Sequence, residues 1–255
     1  MKVTFLGTGT STGVPVVGCR CRVCTSGDPR NQRMRQSVKI EAKGKHFLID
    51  TTPDLRFQLL RDPIPRLDFL LFTHSHSDHI MGLDDIRPFN FRQREPIQAF
   101  ASPNTAKAIR RAFSYIWDHS QPGGGKPQLE LHEIHEPFVH EGIEIVPVPV
   151  THGDWTILGF RLGPFAYITD TNGIPPASMK LLEGIEVLAL DGLRPAPPHP
   201  THFTIDEAIA CARRIGVAQT YLIHLTHDVE HESFGATLPE GVHLAHDGLV
   251  LEFGG

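Results

Sequence analysis

Cysteine is scarce in this 255-residue chain, long apolar runs are missing, and positive charge is not in excess. With only four cysteines the chain is not a disulfide framework, because such scaffolds are short and cysteine-rich. No segment reads as a signal peptide or a membrane span, so we expect a cytoplasmic, reducing location and no membrane partner. The formal net charge of −5 argues against non-specific nucleic-acid binding, which needs a basic surface.

The order of secondary-structure signals indicates the fold class. Strand-like apolar segments alternate with helical patterns along the chain, which predicts an α/β fold. Capping residues mark two helix starts: Ser102 before Pro103, and Thr204 three residues before Glu207. We see no linker, repeat or second core, so residues 1–255 are predicted to form a single domain.

Three histidines and one aspartate fall within six residues, directly after an apolar, strand-like run at residues 68–72. They are His74, His76, Asp78 and His79. Imidazole and carboxylate groups are the ligands that zinc and similar divalent metals prefer. A solvated turn rich in histidine is the alternative, but the position between a strand and a helix-like stretch favours a metal site.

The spacing His-x-His-x-Asp-His after a hydrophobic strand resembles the signature of the metallo-β-lactamase superfamily. The resemblance implies an α/β fold, a four-layer α/β/β/α sandwich of two mixed sheets, with two adjacent metal ions at one edge. It assigns His74 and His76 to the first ion, and Asp78 and His79 to the second. These ions would be zinc or manganese, with iron and nickel as alternatives, because metal selectivity depends on geometry and supply.

Three later strand ends carry the remaining ligands that the resemblance implies. His152 follows an apolar run and matches the third ligand of the first ion. Asp170 matches the carboxylate that bridges both ions, and His224 matches the last ligand of the second ion. Any one of them alone would be an ordinary strand-end residue, but all three stand in the expected order.

A cluster of cysteines restricts the resemblance to one subgroup of the superfamily. Cys19, Cys21 and Cys24 place three thiols within six residues, and in a reducing compartment clustered thiols hold a metal more often than they form disulfides. Redox chemistry is the alternative. The pattern Gly-x-Pro-x-x-Gly-Cys-x-Cys-x-x-Cys resembles the subgroup that contains the phosphoribosyl cyclic phosphate phosphodiesterase of phosphonate breakdown. This resemblance implies one structural zinc, whose fourth ligand would be His227.

His202 lies two residues before the helix start at Thr204. Its segment resembles the His-x-Thr segment of metal-dependent phosphodiesterases in the superfamily, where the histidine contacts the phosphate or protonates the leaving oxygen. A loop histidine with a structural hydrogen bond is the alternative. We therefore expect catalytic roles for His202 and for Asp78, which with Asp170 would orient the attacking hydroxide, and substrate binding by His202 and Arg87.

The expected function is hydrolysis of small phosphodiesters, in particular cyclic nucleotide or ribose phosphates, by a hydroxide that bridges two ions about 3.5–4 Å apart. Two alternatives stay open: a tRNA 3′-processing endonuclease, and a non-hydrolytic relative from cofactor biosynthesis. The expected partners are a small phosphodiester substrate and, by the same resemblance, a second copy of the chain in a homodimer. No stable nucleic-acid partner is expected, because the chain has no basic arm and its net charge is negative.

Overall fold

The computed structural model describes residues 1–118 and 125–254, and two seven-stranded sheets form the centre of this part of the chain. The strands are β1 (Lys2–Gly7), β2 (Ser37–Ala42), β3 (Lys45–Ile49), β4 (Phe69–Leu71), β5 (Ile97–Ala101), β6 (Leu129–Glu133), β7 (Phe138–His140), β8 (Ile143–His152), β9 (Trp155–Leu162), β10 (Phe165–Ile168), β11 (Val187–Asp191), β12 (Gln219–Ile223), β13 (Val242–Leu244) and β14 (Val250–Glu252). The strand orders are β14-β1-β2-β3-β4-β5-β6 and β13-β12-β11-β10-β9-β8-β7.

Both sheets are mixed, as the superfamily resemblance implied. In the first sheet β3 to β6 pair in parallel, whereas β14, β1, β2 and β3 pair antiparallel. In the second sheet β10 to β13 pair in parallel, whereas β7 to β10 pair antiparallel. Parallel neighbours end at the same edge of a sheet, so residues that follow them come close together in space.

Helices cover the outer faces of the two sheets. They are α1 (Leu55–Arg61), α2 (Ser77–Ile80), α3 (Arg87–Gln93), α4 (Pro103–Ala112), α5 (Pro176–Leu181), α6 (Ile205–Ile215) and α7 (His231–Gly235), with 3₁₀ turns at Pro29–Asn31, Leu83–Ile86 and Ser114–Ile116. The predicted cap at Ser102 is confirmed, because its side chain accepts the backbone N–H of Thr105. The capping box of Thr204 and Glu207 is also confirmed.

Three apolar layers hold the sandwich together. Between the sheets, Phe5 and Phe47 of the first sheet share one buried cluster with Phe160 and Tyr167 of the second. Each fully buried ring of this kind contributes about 1.5–3 kcal/mol relative to an exposed one. The outer face of the first sheet packs on α1, α3 and α4, and that of the second on α5 and α6. The predicted four-layer α/β/β/α sandwich is therefore confirmed.

Three strand ends turn sharply at the edge where the candidate ligands lie. Asp50, Asp170 and His224 follow β3, β10 and β12, and their φ angles are +67°, +53° and +60°. Residues other than glycine rarely adopt this left-handed region, and such strain concentrates at functional sites. The turns end the strands and redirect these three polar side chains.

Four strands were not predicted from the sequence: β6, β7, β9 and β13. β7 and β13 have three residues each, too few for an alternating pattern to be recognised. β9 is buried at five of its last six positions, so it lacks the alternation of a strand with one solvated face. None of the helices in the described part of the chain is both long and apolar enough to cross a membrane.

Candidate dinuclear metal centre

The first group of candidate ligands converges from three strand ends. His74, His76, His152 and Asp170 each offer one donor atom, and these four atoms lie within 4.8 Å of one another. Nε2 of His74 is 3.0 Å from Nδ1 of His76 and 3.8 Å from Oδ2 of Asp170. All four residues are buried except His76, which is half-buried. The set has the nitrogen-rich composition that suits a borderline divalent ion.

The second group shares one residue with the first. Asp78, His79, Asp170 and His224 also bring donor atoms within 4.8 Å of one another. Nε2 of His79 lies 3.4 Å from Asp78 Oδ2 and 3.3 Å from Asp170 Oδ1, while Nε2 of His224 lies 3.4 Å from Asp170 Oδ2. Asp170 thus belongs to both groups, which places it where a carboxylate could bridge two ions.

A buried hydrogen-bond network beneath these groups fixes two of the imidazoles. Asp50 accepts the Nδ1–H of His79 at 2.7 Å and the hydroxyl of Thr73 at 2.7 Å. The Thr73 oxygen lies 3.0 Å from Nδ1 of His74, whose N–H can donate to it. This arrangement sets the tautomer of both rings and leaves each Nε2 free to bind a cation. His152 is held similarly, because its Nδ1–H donates to the carbonyl of Thr201 at 2.9 Å.

Unpaired buried nitrogens show that the residues present fit a metal. Among the described residues, Nε2 of His79 and Nε2 of His224 are buried and have no hydrogen-bond partner. Buried polar atoms are normally paired, and leaving one unpaired costs about 1–3 kcal/mol. Both nitrogens lie beside Asp170, so a cation between them would satisfy the orphaned groups.

The electrostatics of the site also favour bound cations. Burial lowers the pKa of His74 well below its usual value and lowers the pKa values of His76, His152 and His224 in the same direction. Burial lowers the pKa of His79 too, but the charges of Asp170 and Asp50 outweigh it and raise that pKa well above its usual value. The carboxylates therefore require positive charge at this position, which a divalent ion can supply instead of a proton.

His202 lies next to the two groups and is held by a residue that the sequence did not single out. Its Nδ1–H donates to Oδ2 of Asp191 at 2.7 Å, and the same oxygen accepts the backbone N–H of Thr171 at 2.8 Å. The His202 ring is stacked on His224, with centroids 4.7 Å apart and an angle of 9° between the planes. Burial lowers the pKa of His202. Only the position of Asp191 at the end of a predicted strand could have drawn attention to it.

The cysteine cluster forms a separate four-ligand group. Nδ1 of His227 lies 3.3 Å from the sulfur of Cys19, 3.5 Å from that of Cys21 and 3.3 Å from that of Cys24. Zinc bonds of about 2.3 Å to sulfur and 2.0–2.1 Å to nitrogen at tetrahedral angles give S···N separations of about 3.5 Å. The four side chains are therefore spaced as the predicted zinc site requires.

A buried arginine joins the two chain segments that carry this cluster. Arg33 is 1% exposed, and its guanidinium donates to the carbonyls of Thr226 at 3.1 Å and Val229 at 2.8 Å, on either side of His227. The backbone of Arg33 also exchanges two hydrogen bonds with Val14, in the loop that leads to the cysteines. Arg33 thus positions both halves of the cysteine cluster.

Arg87 lies away from the converging ligands. Its guanidinium pairs with Asp84 at 2.7 Å and donates to the carbonyl of Gly125 at 2.7 Å. It does not line either cavity at the two ligand groups in the part of the chain that the structure describes. Contact with a bound phosphate would require Arg87 to leave Asp84, so its predicted substrate role stays a prediction.

Similarity to known proteins extends over most of the chain. Residues 45–225, well over half of the chain, match the family model of the beta-lactamase superfamily domain. The chain belongs to the beta-lactamase superfamily. Within this superfamily it belongs to the PhnP family: a crystal structure described as a new diphosphatase from that family is 44% identical, with a TM-score of 0.92 over 99% of this chain and 98% of the other.

Other proteins similar to this chain carry different names. An octanoyltransferase of Porphyromonas gingivalis is 38% identical over 98% of this chain, but the match covers only 51% of that protein. The chain thus spans about half of that relative. A ribonuclease Z from a Mycobacterium strain is 26% identical over 88% of this chain and 84% of its own length. Superfamily membership, together with the two ligand groups, indicates a metal-dependent hydrolase.

Proposed function

We propose that this chain is a dinuclear metal-dependent phosphodiesterase that hydrolyses small phosphodiesters, with cyclic and nucleotide phosphates as the first substrates to test. The observation that carries the proposal is Asp170, whose carboxylate is common to both ligand groups. The similarity to a diphosphatase of the PhnP family supports hydrolysis at phosphorus. Negative charge on the chain and the small size of the adjacent cavities disfavour a tRNA substrate.

Seven residues would hold the two ions: His74, His76, His152, Asp170, Asp78, His79 and His224. Divalent ions at these positions would lower the pKa of a water molecule and offset the charge of the phosphate oxygens. The side chains do the positioning: Asp50 and Thr73 fix His74 and His79, and Asp78 and Asp170 would orient the attacking oxygen. We propose zinc or manganese here, and zinc at Cys19, Cys21, Cys24 and His227.

His202 would act on the leaving group. Hydrolysis forms a bond from the water oxygen to phosphorus and breaks the bond to the leaving oxygen, which needs a proton. With Nδ1–H held by Asp191, a protonated His202 presents Nε2–H as the donor. A phosphate anion beside Nε2 favours the protonated ring, which counters the effect of burial on the His202 pKa. Asp191 is a positioning residue in this scheme.

The proposal is tested by a turnover screen of the metal-loaded protein. Substrates are 2′,3′-cyclic AMP, a dinucleotide, bis(p-nitrophenyl) phosphate and precursor tRNA, with Asp170→Asn as the matched control. We expect turnover of small diesters that Asp170→Asn abolishes, because the neutral amide cannot replace the shared carboxylate. Undiminished turnover in the variant would contradict the role proposed for Asp170. Efficient trimming of precursor tRNA without small-diester turnover would contradict the proposal and favour the nuclease alternative.

A further inference from the structure

Trp155 is an exposed aromatic residue at the entrance to the ligand groups. It is the first residue of β9, and 53% of its surface is exposed. The two-residue turn Gly153–Asp154 pairs Trp155 directly with His152, so both side chains lie on the same face of the hairpin. The Trp155 ring is 5.1 Å from the ring of His76 and tilted by 35°. A large flat surface thus stands beside two candidate ligands and remains open to solvent.

Asp154 and Trp155 line two cavities that reach the ligand groups. One cavity, of about 500 Å³, includes His74, Ser102 and Asn104. The other, of about 350 Å³, includes His76, His152 and Thr201. A phosphodiester carries two organic substituents on phosphorus. Each cavity can hold one of them, and both cavities are lined by Trp155.

The charge of the residues that line these cavities limits the kind of substituent that can bind there. In the described part of the chain neither cavity is lined by lysine or arginine, and the acidic residue Asp154 lines both. Anionic oxygens would therefore remain at the ligand groups, and the substituents in the cavities would be uncharged. Ser102 and Asn104 offer polar groups to one of them.

We infer that the substrate is a nucleotidyl diester whose nucleobase stacks on Trp155, an inference that rests on the proposed function. Every nucleobase has a flat face that stacks on an aromatic side chain. The smaller cavity includes Thr201, the neighbour of His202, so the leaving substituent lies there and the nucleoside occupies the larger cavity. Hydrolysis then releases a nucleoside monophosphate and the alcohol of the other substituent.

Tryptophan fluorescence tests binding without turnover. The chain has two tryptophans, Trp117 and Trp155, so Trp117→Phe leaves Trp155 as the single emitter. AMP should quench the metal-loaded Trp117→Phe protein, whereas ribose 5-phosphate, which has the same phosphate and no base, should not. Equal responses to both ligands would contradict stacking. This result does not depend on whether the protein hydrolyses a diester.

Steady-state kinetics test the same inference through specificity. The measured quantity is the ratio of kcat/KM for adenosine 5′-(p-nitrophenyl phosphate) to kcat/KM for methyl p-nitrophenyl phosphate. Trp155→Ala should lower this ratio roughly 5- to 150-fold, and Trp155→Phe should lower it less, because a phenyl ring still stacks. Phe57→Ala, at an exposed aromatic residue of α1 outside both cavities, is the control.

The outcomes separate the inference from the proposed function. If the wild-type protein hydrolyses both esters and Trp155→Ala has the same ratio of kcat/KM values, the inference is wrong. The proposed phosphodiesterase activity is then unaffected. Equal losses on both esters would also overturn it, because they would show that Trp155 only supports His76 and His152. Base-dependent quenching without any diester turnover would support the binding site and contradict the phosphodiesterase.

Discussion

Asp191 accepts the Nδ1–H of His202 at 2.7 Å and at the same time accepts the backbone N–H of Thr171. The carboxylate is fully buried, so this bond fixes one orientation of an imidazole that lies beside His152 and His224. The bond engages Nδ1 of His202 and leaves Nε2 as the ring nitrogen that can meet a substrate. The pair therefore favours a chemical role for His202 and leads to the first prediction.

His202→Ala should lose roughly 10²–10⁴-fold in rate on an alkyl diester, the usual range for acid–base groups. The loss should shrink for p-nitrophenyl diesters, because nitrophenolate leaves without protonation. Metal content by elemental analysis should stay at the wild-type value, since His202 lies outside the seven proposed ligands. Asp191→Asn should show the same dependence on the leaving group with a smaller loss.

An equal loss on alkyl and p-nitrophenyl diesters would instead assign His202 to phosphate binding. No loss on either ester would return it to a structural role.

Cys21→Ser should remove one equivalent of metal and lower the stability of the protein. We expect a loss of more than about 2 kcal/mol, or roughly 4–8 °C in Tm for a chain of this size. Cys211→Ala is the matched control, because Cys211 is a buried cysteine of α6 outside the cluster. Elemental analysis and thermal unfolding provide the measurements. Full metal content and an unchanged Tm in Cys21→Ser would rule out the structural site.

Arg33→Met should lower the free energy of unfolding by about 2–4 kcal/mol, because the carbonyls of Thr226 and Val229 would lose a charged donor. Arg30→Met is the comparison, since the Arg30 side chain is 41% exposed and its guanidinium pairs with Asp28, not with the carbonyls beside His227. Urea unfolding of both variants gives the difference. Similar midpoints for the two would show that Arg33 does not hold the segments together.

Asp247 gives the stability a specific pH dependence. Burial raises its pKa to about 6, although it accepts hydrogen bonds from Thr8 and Met34. The unfolded chain loses this proton near pH 4, so between about pH 4 and 6 the folded state binds more protons. The free energy of unfolding should therefore fall as pH rises through this window, by about 3 kcal/mol at most.

Asp247→Asn should remove that slope. Urea unfolding at matched metal load, compared between wild type and variant from pH 4.5 to 7, isolates the contribution of this one residue. Parallel curves across the window would contradict the raised pKa.

The candidate ligands could be found from the sequence because they cluster in one short segment or end apolar runs. His152, Asp170 and His224 could be recognised as ligands because each follows a strand-like apolar run and because they occur in the order that the superfamily resemblance implied. The mixed sheets and the four layers followed from the same resemblance and from the alternation of strands with helices. Parallel strands ending at one edge then explain why residues so distant in sequence converge.

Residues whose roles depend on side-chain partners could not be found in this way. The position of Trp155 beside His152 depends on the register of β9, a strand that lacks an alternating pattern. The role of Asp191 depends on the direction in which its carboxylate points, towards His202. Arg33 reads in the sequence as one more arginine of a basic stretch, but it is almost completely buried. For Arg87 the sequence suggested a role in substrate binding, but its guanidinium is paired with Asp84, three residues earlier in the chain.

Cys19 and His227 are 208 positions apart in the chain, yet they belong to one ligand group. During synthesis the three thiols emerge from the ribosome long before their fourth partner, so for most of translation the cluster can hold only an incomplete set. Contacts of such large sequence separation also cost the most loop-closure entropy, because they close the largest loops. A complete set of four ligands therefore indicates that the N-terminal and C-terminal parts of the chain have packed together.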